Sequence, residues 1–157
     1  MFTIDNLTVT TPSDLEIVMT RDFDAPRAQV YDAFTRPELL RRWYGPAGWS
    51  LVVCETDLRP GGLWRFVQQR PDGSRMGTHG AYHALVPPER FVHDRRYDDF
   101  PGSSVISNLF SEQDGRTTVA VTTVYDSADV RDGVLRSGFE HFYVAAFARL
   151  DLMLAGG

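Results

Sequence analysis

Ser127-Ala-Asp-Val-Arg-Asp-Gly-Val-Leu-Arg-Ser-Gly-Phe-Glu-His-Phe-Tyr-Val-Ala-Ala-Phe-Ala-Arg-Leu-Asp-Leu-Met-Leu154 is the one long stretch of the chain with helical periodicity. Leu135, Phe139, Phe142, Ala146, Leu150 and Met153 recur at spacings of three and four, so they share a face. Asp129 stands where an N-cap is expected, with Asp132 as the capping-box carboxylate, and Gly156-Gly157 reads as a stop. At ~1.5 Å per residue such a helix runs ~40 Å, about the width of a domain. A helix of that length needs one large apolar surface to lie on, and a curved antiparallel sheet supplies it.

The preceding residues read as that sheet. Strand-like segments at 49–58, 63–70, 78–86, 91–97, 104–112 and 116–125 are separated by turn chemistry such as Arg59-Pro60-Gly61-Gly62, Pro71-Asp72-Gly73 and Gln113-Asp114-Gly115. A further strand spans 15–23, and residues 1–14 form an edge strand or a flexible start. Asp24-Ala25-Pro26 breaks that strand, with Asp24 a candidate cap for a short helix bearing Val30, Tyr31 and Phe34. Pro37 stops that helix and starts another, ending near Trp43. The expected architecture is α+β: a curved antiparallel meander, curling because closure removes edges, wrapped around a long C-terminal helix with two short helices plugging one end. The prior from 157 residues is a single domain.

Composition narrows function. A net charge of −5 argues against nucleic acid as a partner. There is no apolar run long enough to span a membrane and no signal-peptide pattern, and a lone cysteine, Cys54, forms no internal disulfide, so a cytoplasmic location is expected. All 16 basic residues are arginine, which removes Schiff-base and P-loop lysine chemistry. No Gly-x-Ser-x-Gly elbow and no glycine-rich phosphate loop occurs. His79 and His83 are four apart on a strand, ~13 Å, too far for a shared metal. No metal and no cofactor is implied.

Several local phrases resemble one family. Phe23-Asp24-Ala25-Pro26 followed by Val30-Tyr31-Asp32-Ala33-Phe34-Thr35-Arg36-Pro37-Glu38 is similar to the opening signature of the Hsp90 ATPase-activator-homologue family, within the START-like (SRPBCC, helix-grip) superfamily. Arg42-Trp43-Tyr44-Gly45-Pro46, Asp57-Leu58-Arg59-Pro60-Gly61-Gly62-Leu63-Trp64-Arg65-Phe66, Gly80-Ala81-Tyr82 with Pro87-Pro88-Glu89-Arg90-Phe91, and Ser137-Gly138-Phe139-Glu140 resemble its other phrases. The resemblance covers residues 15–155 and implies the helix-grip fold and small-molecule binding. The cochaperone name comes from distant eukaryotic relatives, so a chaperone partner does not follow from it. Phe142-Tyr143 stands where members often carry Gly then Trp, and Ala84 where they often carry Glu. The first departure implies a smaller pocket, the second a less acidic one.

The segment Phe91-Val92-His93-Asp94-Arg95-Arg96-Tyr97 carries the chemistry. If Phe91 faces inward, period two brings His93, Arg95 and Tyr97 with it; the opposite register turns Val92, Asp94 and Arg96 inward instead. Asn108, in phase with Ile106 and Phe110, would meet the first set. The candidate ligand-binding residues are Trp43, Trp64, Phe66, Tyr82, His93, Arg95, Asn108, Phe139 and Phe142. The aromatics would hold an apolar body, and His93, Arg95 and Asn108 would orient a carboxylate, carbonyl or phenol. The expected function is binding of a small, mainly hydrophobic molecule between sheet and helix. Two alternatives stand beside it: a cyclase- or isomerase-like enzyme using His93 for acid–base work with Arg95 holding an enolate, and a chaperone-interaction module. An edge strand also leaves room for a homodimer.

Overall fold

The computed structural model describes residues 1–156. In chain order the elements are β1 (Phe2–Ile4), β2 (Leu7–Thr10), β3 (Glu16–Phe23), α1 (Arg27–Thr35), α2 (Pro37–Trp43), β4 (Ser50–Thr56), β5 (Leu63–Gln69), β6 (Arg75–Val86), β7 (Arg90–Tyr97), β8 (Ser104–Gln113), β9 (Arg116–Tyr125), α3 (Ala128–Arg136) and α4 (Phe139–Leu154). The strands form one antiparallel sheet in the order β1-β2-β3-β9-β8-β7-β6-β5-β4. From β4 to β9 this is the expected meander. The two short helices carry the chain from β3 across to the far edge at β4, and β9 then returns to pair with β3, Glu16 opposite Val124 through Phe23 opposite Thr117. The fold is the α+β helix grip. The sheet is curved but stays open, with β1 and β4 as its edges, so curling does not end in the closure expected from the sequence.

Local chemistry explains the tight hairpins. Asp5-Asn6 and Asp114-Gly115 are two-residue loops with positive φ at both positions (46° and 68°, 53° and 76°), the geometry whose twist matches that of paired strands. Residues that tolerate left-handed backbone are what it demands.

The long C-terminal helix is in fact two. Gly138 takes φ +76°, a left-handed conformation that ends α3 and lets α4 leave in a new direction. Ser137 Oγ donates to the Val134 carbonyl at 2.6 Å and closes the last turn of α3. The cap of α3 is Ser127, whose Oγ accepts from the Val130 amide at 3.2 Å, and not Asp129. Asp24 likewise does not cap α1; Pro26 holds that position, and Glu112 of β8 accepts from the Arg27 amide at 2.7 Å. A carboxylate from a neighbouring strand thus satisfies a donor the helix leaves open.

α4 alone lies on the sheet, burying Ala146, Phe147 and Leu150, while no residue of α3 is buried. Two arginines fix its position. Arg21 of β3, buried, makes a bidentate pair with Asp151 at 2.8 and 2.6 Å. Arg149 donates to the carbonyls of Arg42 (3.0 Å) and Gly45 (2.9 Å), tying α4 to the end of α2, where free carbonyls favour a cation. Between α4, α1 and the sheet, Phe23, Phe34, Phe110 and Phe147 pack edge-on or tilted, with centroids 5.3 to 6.4 Å apart for the pairs in contact.

Candidate functional site

Pairing of β7 with β8 sets which β7 side chains face the helix. Phe91 lies opposite Asn108, His93 opposite Ile106 and Arg95 opposite Ser104, and Phe91, Asn108, Ile106 and Ser104 are all buried. The inward set is therefore Phe91, His93 and Arg95. Asp94 turns outward, where it binds His83 Nε2 at 2.6 Å and accepts from the Ala81 amide. On β5 the buried Trp64 anchors its indole by donating to the Asp94 carbonyl at 3.1 Å, and its ring meets Phe66 and His93 at 5.0 and 5.5 Å. Tyr82 of β6 lies opposite His93, just before a β-bulge.

These side chains surround an interior space of about 80 Å³ between the sheet and α4. By the measure of one water per ~10–15 Å³, that is room on the order of six waters. Trp43, Trp64, Phe66, Tyr82, His93, Arg95 and Asn108 all line it. Phe139 and Phe142, the two helix residues expected there, do not. Phe142 packs instead against Tyr44 and Trp49, at 5.9 and 5.7 Å, and so does not fill the cup. Tyr143 and Phe147 supply the helical wall in its place. Tyr44, just past the end of α2, also lines the space, as does Thr123. A signal for Tyr143 was present, since the Phe142-Tyr143 pair marks a departure from the family phrase. The Arg149 clamp that fixes the helix phase was not visible in periodicity.

Three polar groups in this lining are Asn108, His93 and Arg95. Asn108 Nδ2 donates to the Phe91 carbonyl at 3.3 Å, which sets the orientation of the amide. Its approach to His93 Nδ1, at a long 3.4 Å, makes that nitrogen the acceptor and leaves the imidazole proton on Nε2. Burial, helped by the neighbouring Arg95 cation, pushes the His93 pKa down to about 3, so the ring is neutral at physiological pH. Arg95 is the third group. Burial works against its charge, but a guanidinium does not give up its proton in a protein, so it stays a cation beside the hydroxyl-bearing Tyr97, Tyr143, Tyr44 and Tyr125. Burial raises the Tyr44 phenol and pushes that of Tyr125 up to about 12, so both remain protonated. Arg95 Nε is sealed from solvent and has no hydrogen-bond partner. Among the described residues no carboxylate lines the space or pairs with Arg95.

Other candidates fall outside this site. His79 binds Asp98 at 2.8 Å and His83 binds Asp94, so the two imidazoles serve different partners on the outer face. Cys54 is buried with its thiol pushed up to about 11, which keeps it protonated and unreactive. Among the described residues no helix is long and apolar enough to cross a membrane.

The comparisons with known proteins agree with this architecture. The sequence pattern of the family described as "Activator of Hsp90 ATPase homolog 1-like protein" matches residues 24–153. A crystal structure of a Rhodobacter sphaeroides protein superposes with a TM-score of 0.90 at 28% identity, covering 96% of this chain and 99% of that one. Protein Ms6760 from Mycobacterium smegmatis gives 0.83 at 26% identity, over 94% and 96%. A solution structure from Arthrobacter aurescens, 0.84 at 20% identity over 96% and 92%, shares the fold. No curated protein matches the chain.

Proposed function

The chain belongs to the activator of Hsp90 ATPase homolog 1-like family, and on that premise we propose that it binds a small, mainly hydrophobic molecule in the space between the sheet and α4. The observation that carries this reading is the contrast within the lining. Trp64, Phe66, Tyr143 and Phe147 form apolar walls, and His93, Arg95 and Asn108 are polar groups set among them. A few convergent polar groups in an apolar pocket orient a ligand by its polar end. The START-like fold commonly takes hydrophobic ligands, which supports the same reading.

The acid–base alternative draws less support. An imidazole whose pKa lies near 3 is a weak base at neutral pH and carries no proton to donate as imidazolium. The chaperone-interaction alternative draws on the family's name and on Val105, Leu109 and Val124, exposed on the outer face of β8 and β9. The binding reading rests on the open interior instead.

Native mass spectrometry of protein purified from its own host, set against the denatured sample, tests the proposal. A co-purifying small molecule that is absent from a pocket-filling Val121→Phe variant supports it. Protein that carries nothing, and takes up no small apolar probe such as toluene, contradicts it.

A further inference from the structure

Arg95 is the anomaly in this molecule. Arg21, which the fold buries, meets a carboxylate through both its terminal nitrogens, and surface Arg65 does the same with Asp98 at 3.0 and 2.6 Å. Arg95 meets none. Its neighbours are phenols and an aromatic face, with the Tyr97 ring centred 5.4 Å from the guanidinium carbon. His93 beside it is neutral, Asn108 is uncharged, and no Asp or Glu lines the space. The interior therefore holds one net positive charge with an unused N–H donor. A buried charge is tolerated at low cost only when it is paired and its donors are satisfied. A negatively charged partner from outside the chain would supply what the fold leaves out.

We propose that the polar end of the ligand is a carboxylate, held by the Arg95 guanidinium, so that this protein selects small aromatic or acyl monocarboxylates over their neutral counterparts. The inference rests on the binding reading above and adds the charge of the ligand to it. A planar carboxylate matches the guanidinium fork with two parallel hydrogen bonds. One cation offsets one negative charge, and the neutral His93, whose Nδ1 is taken by Asn108, keeps its Nε2–H as an uncharged donor. A phosphate ester, with up to two charges and a larger shell of oxygens, would meet a single cation and no further positive group. The apolar walls take the body of the ligand, and the volume limits that body to about one ring or a short chain.

The test is a titration of matched probes, benzoate against benzamide and phenol, followed by calorimetry and by the indole N–H resonance of Trp64. Benzoate and benzamide have the same shape and differ in charge. The expected result is benzoate binding at least about tenfold tighter than either neutral probe, the margin that a charge-assisted pair supplies. Arg95→Met should abolish the preference and Arg95→Lys should retain part of it. Equal affinities for benzoate and benzamide in the native protein overturn the carboxylate assignment and leave the binding reading standing. Tighter phenol binding overturns it in favour of a neutral hydroxyl ligand. If none of the probes moves the Trp64 resonance, both readings fail. The native-protein titration decides these outcomes whether or not the Arg95→Met variant folds.

Discussion

The two faces of strands β5 to β7 handle charge in opposite ways. On the outer face basic side chains meet carboxylates: Arg65 and His79 share Asp98, and His83 takes Asp94. These groups are partly in water, where such pairs contribute little to stability, about 0–1 kcal/mol. On the inner face, where an unpaired charge costs most, Arg95 has no counter-ion and His93 stays neutral. Asp94 is one residue away on the same strand, yet alternation turns it to the outer face. A fold optimised for stability alone would reverse this arrangement. An interior that receives an anionic molecule would keep it.

The largest expected effect comes from the wall of the inner face. Phe147→Ala should cost about 3–5 kcal/mol in a denaturant melt, because the ring is buried and touches Phe23, Phe34 and Tyr143. Removing the unpaired charge should act in the other direction. Arg95→Met is expected to stabilise the ligand-free protein by about 1–4 kcal/mol, as replacement of buried ionic groups by apolar ones often does. A loss of stability there would mean that the guanidinium is paid for within the fold and would erase the contrast between the faces.

A third effect is read in pH. The His93 pKa is lowered on folding, so below its unfolded value of about 6.5 the unfolded chain binds more protons than the folded one. Stability then falls as pH drops from about 6.5 towards 3, by up to ~1.4 kcal/mol per pH unit from this one group. Urea melts across that window check it, and His93→Asn should flatten the slope. The smallest effect belongs to the outer face. His83→Ala should change stability by less than about 1 kcal/mol, and less still at high salt.

Much of this was legible in the sequence, and the failures have physical causes. Turn chemistry and β-residue runs located the strands, and Pro26 and Pro37 located the two short helices, because these residues act locally. Gly138 looked like an ordinary glycine inside a helical pattern; only its left-handed backbone makes it a break. The phase of α4 was ambiguous because Phe139-Glu140-His141-Phe142-Tyr143-Val144-Ala145-Ala146-Phe147 is apolar on nearly every side. The Arg21 and Arg149 clamps decide it in favour of Tyr143 and Phe147 over Phe142 and Phe139, and those clamps join residues over a hundred positions apart. Alternation in β7 left two registers open. The pairing of Phe91 with Asn108 resolves them, and it too depends on a neighbouring strand. The openness of the sheet follows from which strands end up as edges, a property no single segment carries.

A high-resolution crystal structure of the protein as isolated from its host tests this account most directly, through the density beside Arg95. The account predicts an ordered organic molecule in the space against Trp64 and Tyr143, with oxygen atoms within hydrogen-bond distance of the guanidinium. A space filled by rearranged Tyr143 or Phe142, or an Arg95 turned to pair with a carboxylate of the chain itself, would contradict it.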